Sequence, residues 1–529
     1  MRACLVEPRP AGPTVYDFSR LPRLGLPLIG ALLTQAGHEV SVQAEVLAPV
    51  DLATCMSSDV VGISSTTATA PAAYRLADHL ARAGVPVVLG GPHVTYRADE
   101  ALEHAPFVAR GEGQATMLEL VSWMEHEGDE KALGRLAGLS WRAGDGSHRH
   151  NPDRPMTSQA DFARLPAPDL TLMAGYQHLT TKPVMTQWGC PFDCEFCSVT
   201  AMFSRRVRHR PVAAVADELA RLDAESIFFY DDNFVVNKAR ATALLETMVA
   251  RGLTAPWSAQ VRADVVLAPG RTGEVDHAFL SLMRLAGARM TMIGFESASD
   301  EGLAQLGKRS SVATARKAVA AFHEHGIAVH GMFVAGLDTD DSSAPMATAD
   351  FARATGIDTY QLMAQTPLPG TRLWDRAMKE GRILSEDWSL FDGHQVVMRP
   401  LRTSPLELQL SLIEATRHFY SWPRTARSAA LGTLSHLPAV LGALRPGLVG
   451  ALPGLLRAAR ASRWDEVTNL MRSRLPAHAR HQMVEALWLP AVRLYARRQL
   501  ATWWGSERAR DHVARLSALP AQATMGVTS

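Results

Sequence analysis

Cysteine is scarce in this chain, five in 529 residues, so no disulfide framework can hold it and stability must come from a packed interior. Long apolar runs are missing too. No stretch reaches the ~18 consecutive apolar residues that mark a membrane-spanning helix. The opening MRACLVEPRPAGPTVYDF lacks the apolar segment and cleavage site of a secretory signal, which points to the cytoplasm. Net charge is nearly absent: 54 Lys+Arg face 53 Asp+Glu, a formal +1, which removes the general electrostatic case for nucleic acid as a partner. No GxGxxG follows the first strand candidate, which argues against a nicotinamide dinucleotide enzyme. What remains is an ordinary globular composition, 47% hydrophobic and 20% charged, in a chain long enough for about three domains. Wholesale disorder is excluded.

Residues 1–135 alternate apolar strand candidates with amphipathic helices, the pattern of a doubly wound, Rossmann-like α/β domain. ACLVEP, HEVSVQAEVL, DVVGISS, VPVVLGG and FVARGEG supply the strands; LPLIGALLTQAG and APAAYRLADHLARAG supply helices stopped by Gly37 and Gly84. Ligands of such sheets sit beyond the carboxyl ends of the strands. Ser64, Ser65 and Thr66 stand there, with Gly90, Gly91 and His93, then Glu112 and Gly113. Residues 136–182, with DGSHRHNPDRP and LPAPDL, lack periodicity and read as a linker. From 183 to 400 strands and helices alternate again through VMTQWG, SIFFYDDNF, WSAQVRAD, ARMTMIGFES, AVHGMFVAGL and TYQLMAQTP. Six βα units are too few to close an eight-stranded barrel, so a partial (β/α)6 TIM-like barrel with an open side is expected.

Residues 401–529 lose the strand signal and read as an all-helical region. They hold 17 Arg, no Lys and 7 acids, a charge near +10 against about −9 for residues 1–400. Residues 415–464 carry seven arginines and no acid around LPAVLGAL and GLVGALPGLL. Two readings fit: a helical cap with its apolar faces packed on the barrel, and an interfacial helix in peripheral contact with a membrane. The second would suit a hydrophobic or lipid-like substrate.

Three of the five cysteines stand together in Trp188-Gly189-Cys190-Pro191-Phe192-Asp193-Cys194-Glu195-Phe196-Cys197, just after a strand candidate. Three thiolates can hold three irons of a cubane and leave the fourth open to a substrate or cofactor, unlike four-cysteine electron-transfer clusters. A zinc site wants a fourth Cys or His. The nearest downstream histidine, His209, is about a dozen residues past the last thiol, so zinc is the weaker alternative.

This CxxxCxxC loop, following the first strand of a partial barrel, resembles the radical S-adenosylmethionine superfamily over residues 183–400. The resemblance implies a 4Fe-4S cluster on Cys190, Cys194 and Cys197 whose open iron chelates the amino and carboxylate groups of S-adenosylmethionine (AdoMet). One-electron reduction by an external donor then yields a 5′-deoxyadenosyl radical. It implies further that Phe196 packs near the adenine and that Asp231 or Asp232 meets the AdoMet amino group, although the commoner Gly-Gly-Glu is absent. Gln260, Arg262, Glu296 and Ser297 fall where the family contacts ribose and carboxylate, and Gly331 where a strand approaches adenine. Tyr360 on the sixth strand candidate and His394 in Asp392-Gly393-His394-Gln395 are candidate catalytic groups, the latter with a purely structural loop as its alternative.

Residues 1–135 resemble the cobalamin-binding domain that precedes many such enzymes, on GISSTT (62–67), GGPHVT (90–95) and RGEG (110–113). Small residues at these strand ends let a corrin approach the backbone. The implied contacts are Ser64, Ser65, Thr66, Gly90, Gly91, His93, Glu112 and Gly113. The DxHxxG motif that gives cobalt a histidine elsewhere does not occur. His93 is then either a ligand or contact, or a turn histidine bonded to backbone.

The resemblance implies methylation of an unactivated carbon in a small-molecule substrate. One AdoMet methylates cobalt(I), a second yields the radical that abstracts hydrogen, and the substrate radical takes methyl from methylcobalamin. The alternative is a non-methylating relative, performing oxidative cyclisation or rearrangement with the same cofactors. A cofactor-binding protein without turnover would form no deoxyadenosine under reduction.

Overall fold

The computed structural model describes residues 1–10, 21–126, 128–270, 273–308, 310–421, 423, 493–494, 496–498 and 504–519. Most of the arginine-rich segment, including LPAVLGAL and GLVGALPGLL, lies outside the described residues.

Two sheets organise the chain. The first has the order β2-β1-β3-β4-β5-β6-β7, with β1 Arg2–Glu7, β2 Glu39–Ala44, β3 Val60–Ser64, β4 Val87–Gly90, β5 Phe107–Ala109, β6 Leu139–Arg142 and β7 His148–His150. Strands β1 to β5 are parallel. Their central residues are apolar without alternation because helices cover both faces, as in β1, where Ala3 to Val6 are all buried. The strand order reverses between β1 and β3, which opens a crevice at the carboxyl ends of these strands.

The segment expected as a linker is partly sheet. β6 pairs antiparallel with β5, and β7 with β6, so this hairpin extends the first sheet and buries Leu139 and Trp141. Strands of four and three residues are too short to display a period, and the turn-rich AGDGS between them dominates the local signal.

The second sheet runs β15-β14-β13-β12-β11-β8, with β8 Thr181–Val184, β11 Ser226–Phe229, β12 Trp257–Val261, β13 Ala288–Glu296, β14 Ala328–Ala335 and β15 Thr359–Ala364. All its neighbours are parallel and follow chain order, with helices between them. This is the expected open partial barrel. Alternation sorts its faces. Trp257, Ala259, Val261, Val329, Phe333, Ala335, Tyr360 and Leu362 join one core under the helices. Half-buried Gln260, Met292, His330, Met332, Gln361 and Met363 point the other way, into the barrel.

A short antiparallel pair, β9 (Gln187–Trp188) and β10 (Arg208–His209), closes the neck of the loop that carries the three cysteines. After the barrel, the helix Pro405–Phe419 opens with a Ser404–Glu407 capping box and packs on the helix Ala344–Ala354 and on β15. The helix Glu507–Ser517 packs against it in turn. Among the described residues no helix is long and apolar enough to cross a membrane.

Candidate active site at the carboxyl ends of the two sheets

The cysteine loop is held by its backbone. Gly189 has φ +87, and a Cβ there would collide with the Arg206 carbonyl oxygen, so only glycine fits. Its N–H donates to Asp232 Oδ2 at 2.9 Å. The Cys197 N–H donates to the Cys194 carbonyl at 3.1 Å, and Cys197 starts the helix Ser198–Phe203. All three thiols are free and half-buried, and burial pushes each of them up. Holding iron requires them as thiolates, so metal binding would release their protons. A cavity of about 390 Å³ opens beside Cys194 and Cys197, bounded across from them by Gly370, Thr371 and Arg372.

Charged side chains converge on the loop from the strand ends. Lys308 donates to Glu296 Oε1 at 2.9 Å and to the Gly294 carbonyl at 3.3 Å. Burial disfavours its charge, but the Glu296 carboxylate more than offsets this and holds its pKa up. The fields of Lys308 and Arg262 both favour a Cys194 thiolate. Arg262 is fixed by two contacts of 3.1 Å to Asp264 and lies 3.8 Å from the Phe192 ring centroid. Glu296 has φ +67, a left-handed backbone that costs a non-glycine residue about 1 kcal/mol or more. A β-bulge at Gly294/Glu296 accompanies it, and a Cβ at Gly294 would run into the Glu296 carboxylate.

The edge of the first sheet is built differently. Gly91 has φ +101, and a Cβ would collide with the Ser65 carbonyl oxygen and meet Ser64 Oγ at 3.1 Å. Thr66 and Thr69 cap each other ahead of the helix Ala70–Arg82. The Ser65 hydroxyl is buried with no partner among the described residues. Arg23 bonds Glu7 at 2.8 Å and donates to the Ser64 carbonyl at 3.2 Å. It also lies within the electrostatic reach of Tyr230, at the end of β11, and Tyr230 packs on the core of the first sheet. A Cβ at Gly370, beyond the end of β15, would run into the Tyr96 ring, beyond the end of β4, so the carboxyl ends of the two sheets lie against each other.

Residues 18–121 match the B12 binding domain family, and residues 184–352 match the Radical SAM superfamily. An uncharacterized methyltransferase of Pyrococcus horikoshii is 31% identical over 420 residues, covering 76% of this chain and 88% of the relative. The chain belongs to the cobalamin-dependent radical AdoMet enzymes. A bacteriochlorophyllide d C-12(1)-methyltransferase of Chlorobaculum tepidum is 28% identical, over 68% of this chain and 75% of that one. The solved structure of the cobalamin-dependent AdoMet radical enzyme OxsB, with aqua-cobalamin and AdoMet bound, superposes with a TM-score of 0.62 at 15% identity. It covers 98% of this chain and 83% of that one, and supports the same fold. The cofactors of this radical AdoMet enzyme are a 4Fe-4S cluster, AdoMet and cobalamin.

The donor sets fit those cofactors. Three thiols with cationic neighbours suit a cluster with one open iron. Small neutral residues, a glycine that admits no side chain and the unpaired Ser65 hydroxyl suit a bulky macrocycle at the first edge.

Within this radical AdoMet enzyme the expected contacts sort into two groups. Asp232, Gln260, Arg262 and Glu296 stand around the loop or point into the barrel. Asp231 does not. It is 1% exposed, and its carboxylate accepts from Thr186 N (2.7 Å), Thr186 Oγ1 (2.5 Å) and Gln187 N (3.2 Å), which fixes the turn from β8 to β9. Burial pushes its pKa up to about 6. Ser297 is buried and uses its hydroxyl as acceptor for the Ser299 N–H at 3.1 Å. Phe196 packs against Leu373, Ala377 and Met398, tying the loop to the helix Arg372–Lys379. Gly331 lies on the helix side of its strand, where a Cβ would press on Ile357 and Phe333. Tyr360, 3% exposed, stacks on Phe419 within the helix-side core and does not face the barrel.

At the first edge Ser64, Ser65, Thr66, Gly90 and Gly91 lie where expected, and Gly113 begins the helix Gly113–Glu125. His93 meets neither expectation. It is 1% exposed, sealed under Trp388 with ring centroids 4.9 Å apart, and its Nε2 stands 3.6 Å from Glu100. Glu112 is turned into a buried ion pair with Arg208. His394 lies where residues 392–395 close over the end of β15; the Ala364 N–H donates to the Gly393 carbonyl at 2.7 Å, and burial lowers the His394 pKa. Lys308 and Arg23 were missed by sequence reasoning, since neither stands in a motif and both reach the site through tertiary contact.

Proposed function

We propose that this enzyme transfers a methyl group to a carbon of a small, largely apolar molecule. The observation that carries the reading is the meeting of the two carboxyl edges, where Gly370 beyond β15 lies against the Tyr96 ring beyond β4. The methyltransferase names of its relatives agree with it. When bound, the cluster and AdoMet supply a 5′-deoxyadenosyl radical and cobalamin supplies the methyl group.

The chain's own residues do the rest. Cys190, Cys194 and Cys197 hold three irons, while Arg262 and Lys308 offset the negative charge gathered there. Asp232 and Glu296 offer carboxylate acceptors to the AdoMet ammonium and ribose. Ser64, Ser65 and Thr66, with Gly90 and Gly91, leave room for the corrin. Met292, Met332 and Met363 give the barrel a deformable apolar lining, and Gln260, His330 and Gln361 add a few polar contacts to orient the substrate. An external one-electron donor is required.

The test is anaerobic reconstitution with iron, sulfide and cobalamin, followed by AdoMet and a strong reductant, with 5′-deoxyadenosine and S-adenosylhomocysteine both quantified. Formation of both supports methyl transfer. Deoxyadenosine alone favours oxidative cyclisation or rearrangement, and neither product counts against AdoMet cleavage.

A further inference from the structure

Glu112 and Arg208 lie between the two cofactor edges and belong to neither donor set. They are 96 residues apart in sequence and form an ion pair whose side chains are 6% and 3% exposed. Glu112 follows β5 and is the residue on which the helix Gly113–Glu125 begins, at the cobalamin edge. Its other oxygen accepts from the Thr157 N–H at 2.9 Å. Arg208 sits at the neck of the cysteine loop, in register with Trp188. Its guanidinium is ringed by Phe162, Trp188 and Phe203 at 5.6, 5.8 and 5.4 Å from the ring centroids. Its Nε and Nη2 have no hydrogen-bond partner among the described residues.

A buried pair this incompletely bonded is a poor source of stability, because the desolvation of two charges offsets their attraction. It is well suited to fixing register. From Arg208 to the cluster ligands the chain has little slack. Trp188 precedes Gly189 and Cys190, the Arg206 carbonyl fills the place of a Gly189 side chain, and Phe203 ends the helix that Cys197 starts. We infer that Glu112 and Arg208 are a positioning pair that sets where the cysteine loop stands relative to the cobalamin edge, and so the separation of cluster and corrin. The inference rests on the reading above, in which the two carboxyl edges meet, and names the contact that maintains it.

The test uses the full chain, as wild type, Glu112→Gln and Arg208→Lys, reconstituted with cluster and cobalamin and reduced to the paramagnetic cluster and cob(II)alamin. Iron and cobalamin contents are measured first, then the spin relaxation of the cobalt signal, which reports its distance from the cluster. Near-normal contents are expected, with cluster-induced relaxation of cobalt changed about twofold in Glu112→Gln, as an ångström-scale misplacement implies, and less in Arg208→Lys, which keeps the charge. Unchanged relaxation in a fully loaded Glu112→Gln protein overturns the inference. If that variant loads poorly, hydrogen exchange of the full chain decides. Exchange about tenfold faster across residues 189–207, with β13 and β14 unchanged, supports the pair's role, and wild-type exchange in the loop overturns it. A wild type that assembles no cluster would instead strike at the cofactor reading itself.

Discussion

The two cofactor edges are both carboxyl ends of parallel strands, yet their chemistry is opposite. The barrel edge brings together Asp232, Arg262, Glu296 and Lys308, with Glu296 in a strained backbone. The edge of the first sheet presents Ser64, Ser65, Thr66, Gly90 and Gly91, while Glu112 is turned to Arg208, His93 lies beneath Trp388, and Arg23 is paired with Glu7. A cluster chelating a zwitterion concentrates charge in a small volume and needs charged partners at fixed points. A corrin brings its own equatorial ligands and needs space and backbone contact. The strand-end rule locates both sites but leaves open what either will bind.

The difference can be broken from the barrel side. Cys194→Ala is expected to lower deoxyadenosine formation by about a thousandfold or more, with cobalamin still bound at near-wild-type stoichiometry. Retained cleavage would remove the cluster from this loop. Lys308→Met should do less, slowing cleavage about 10- to 100-fold. It leaves Glu296 without its cation and makes the cluster harder to reduce, so a redox titration should show a more negative potential. An unchanged potential would mean that the charges at this edge serve only the fold.

The opposite edge should respond in the opposite way. At Gly91 a methyl group meets Ser65 and requires a left-handed backbone. Gly91→Ala is therefore expected to cut cobalamin retention about tenfold while iron content stays at the wild-type level. Cobalamin and iron measured on the same preparation give the answer. Loss of iron along with cobalamin would mean that the two edges are not independent sites.

Legibility in the sequence follows the same division. The cysteine loop can be read because its three thiols fall within eight residues and their spacing itself points to the chemistry. The parallel order of the strands can be read because βα alternation dictates it. The failures are of two kinds. Asp231 and Asp232, or Tyr360 and Gln361, are neighbours, and a one-residue change of parity moves a side chain to the other face of its strand. Nothing in a local window fixes that parity at a strand end. Glu112, His93 and Lys308 fail for another reason: their partners Arg208, Trp388 and Glu296 come from distant segments, and only packing reveals them. The hairpin of β6 and β7 was hidden simply by its shortness.

Tyr360 offers the smallest and sharpest test of the parity argument. Its ring stacks on Phe419 at 4.7 Å, and its hydroxyl is buried with no hydrogen-bond partner among the described residues. The neighbouring Tyr420 is arranged the other way. Its hydroxyl accepts from the Tyr360 N–H at 2.8 Å and donates to the Tyr360 carbonyl at 2.7 Å. Tyr360→Phe removes an unbonded polar atom and should change stability by less than about 1 kcal/mol, whereas Tyr420→Phe strips two backbone groups of a partner and should cost about 1–3 kcal/mol. Denaturant midpoints of the two variants check the ordering. Deoxyadenosine formation by Tyr360→Phe should stay within about twofold of wild type, since a side chain facing the helices cannot reach the barrel. A tenfold loss there would mean that the hydroxyl takes part in the reaction after all and that the face of β15 assigned to the helices is the wrong one.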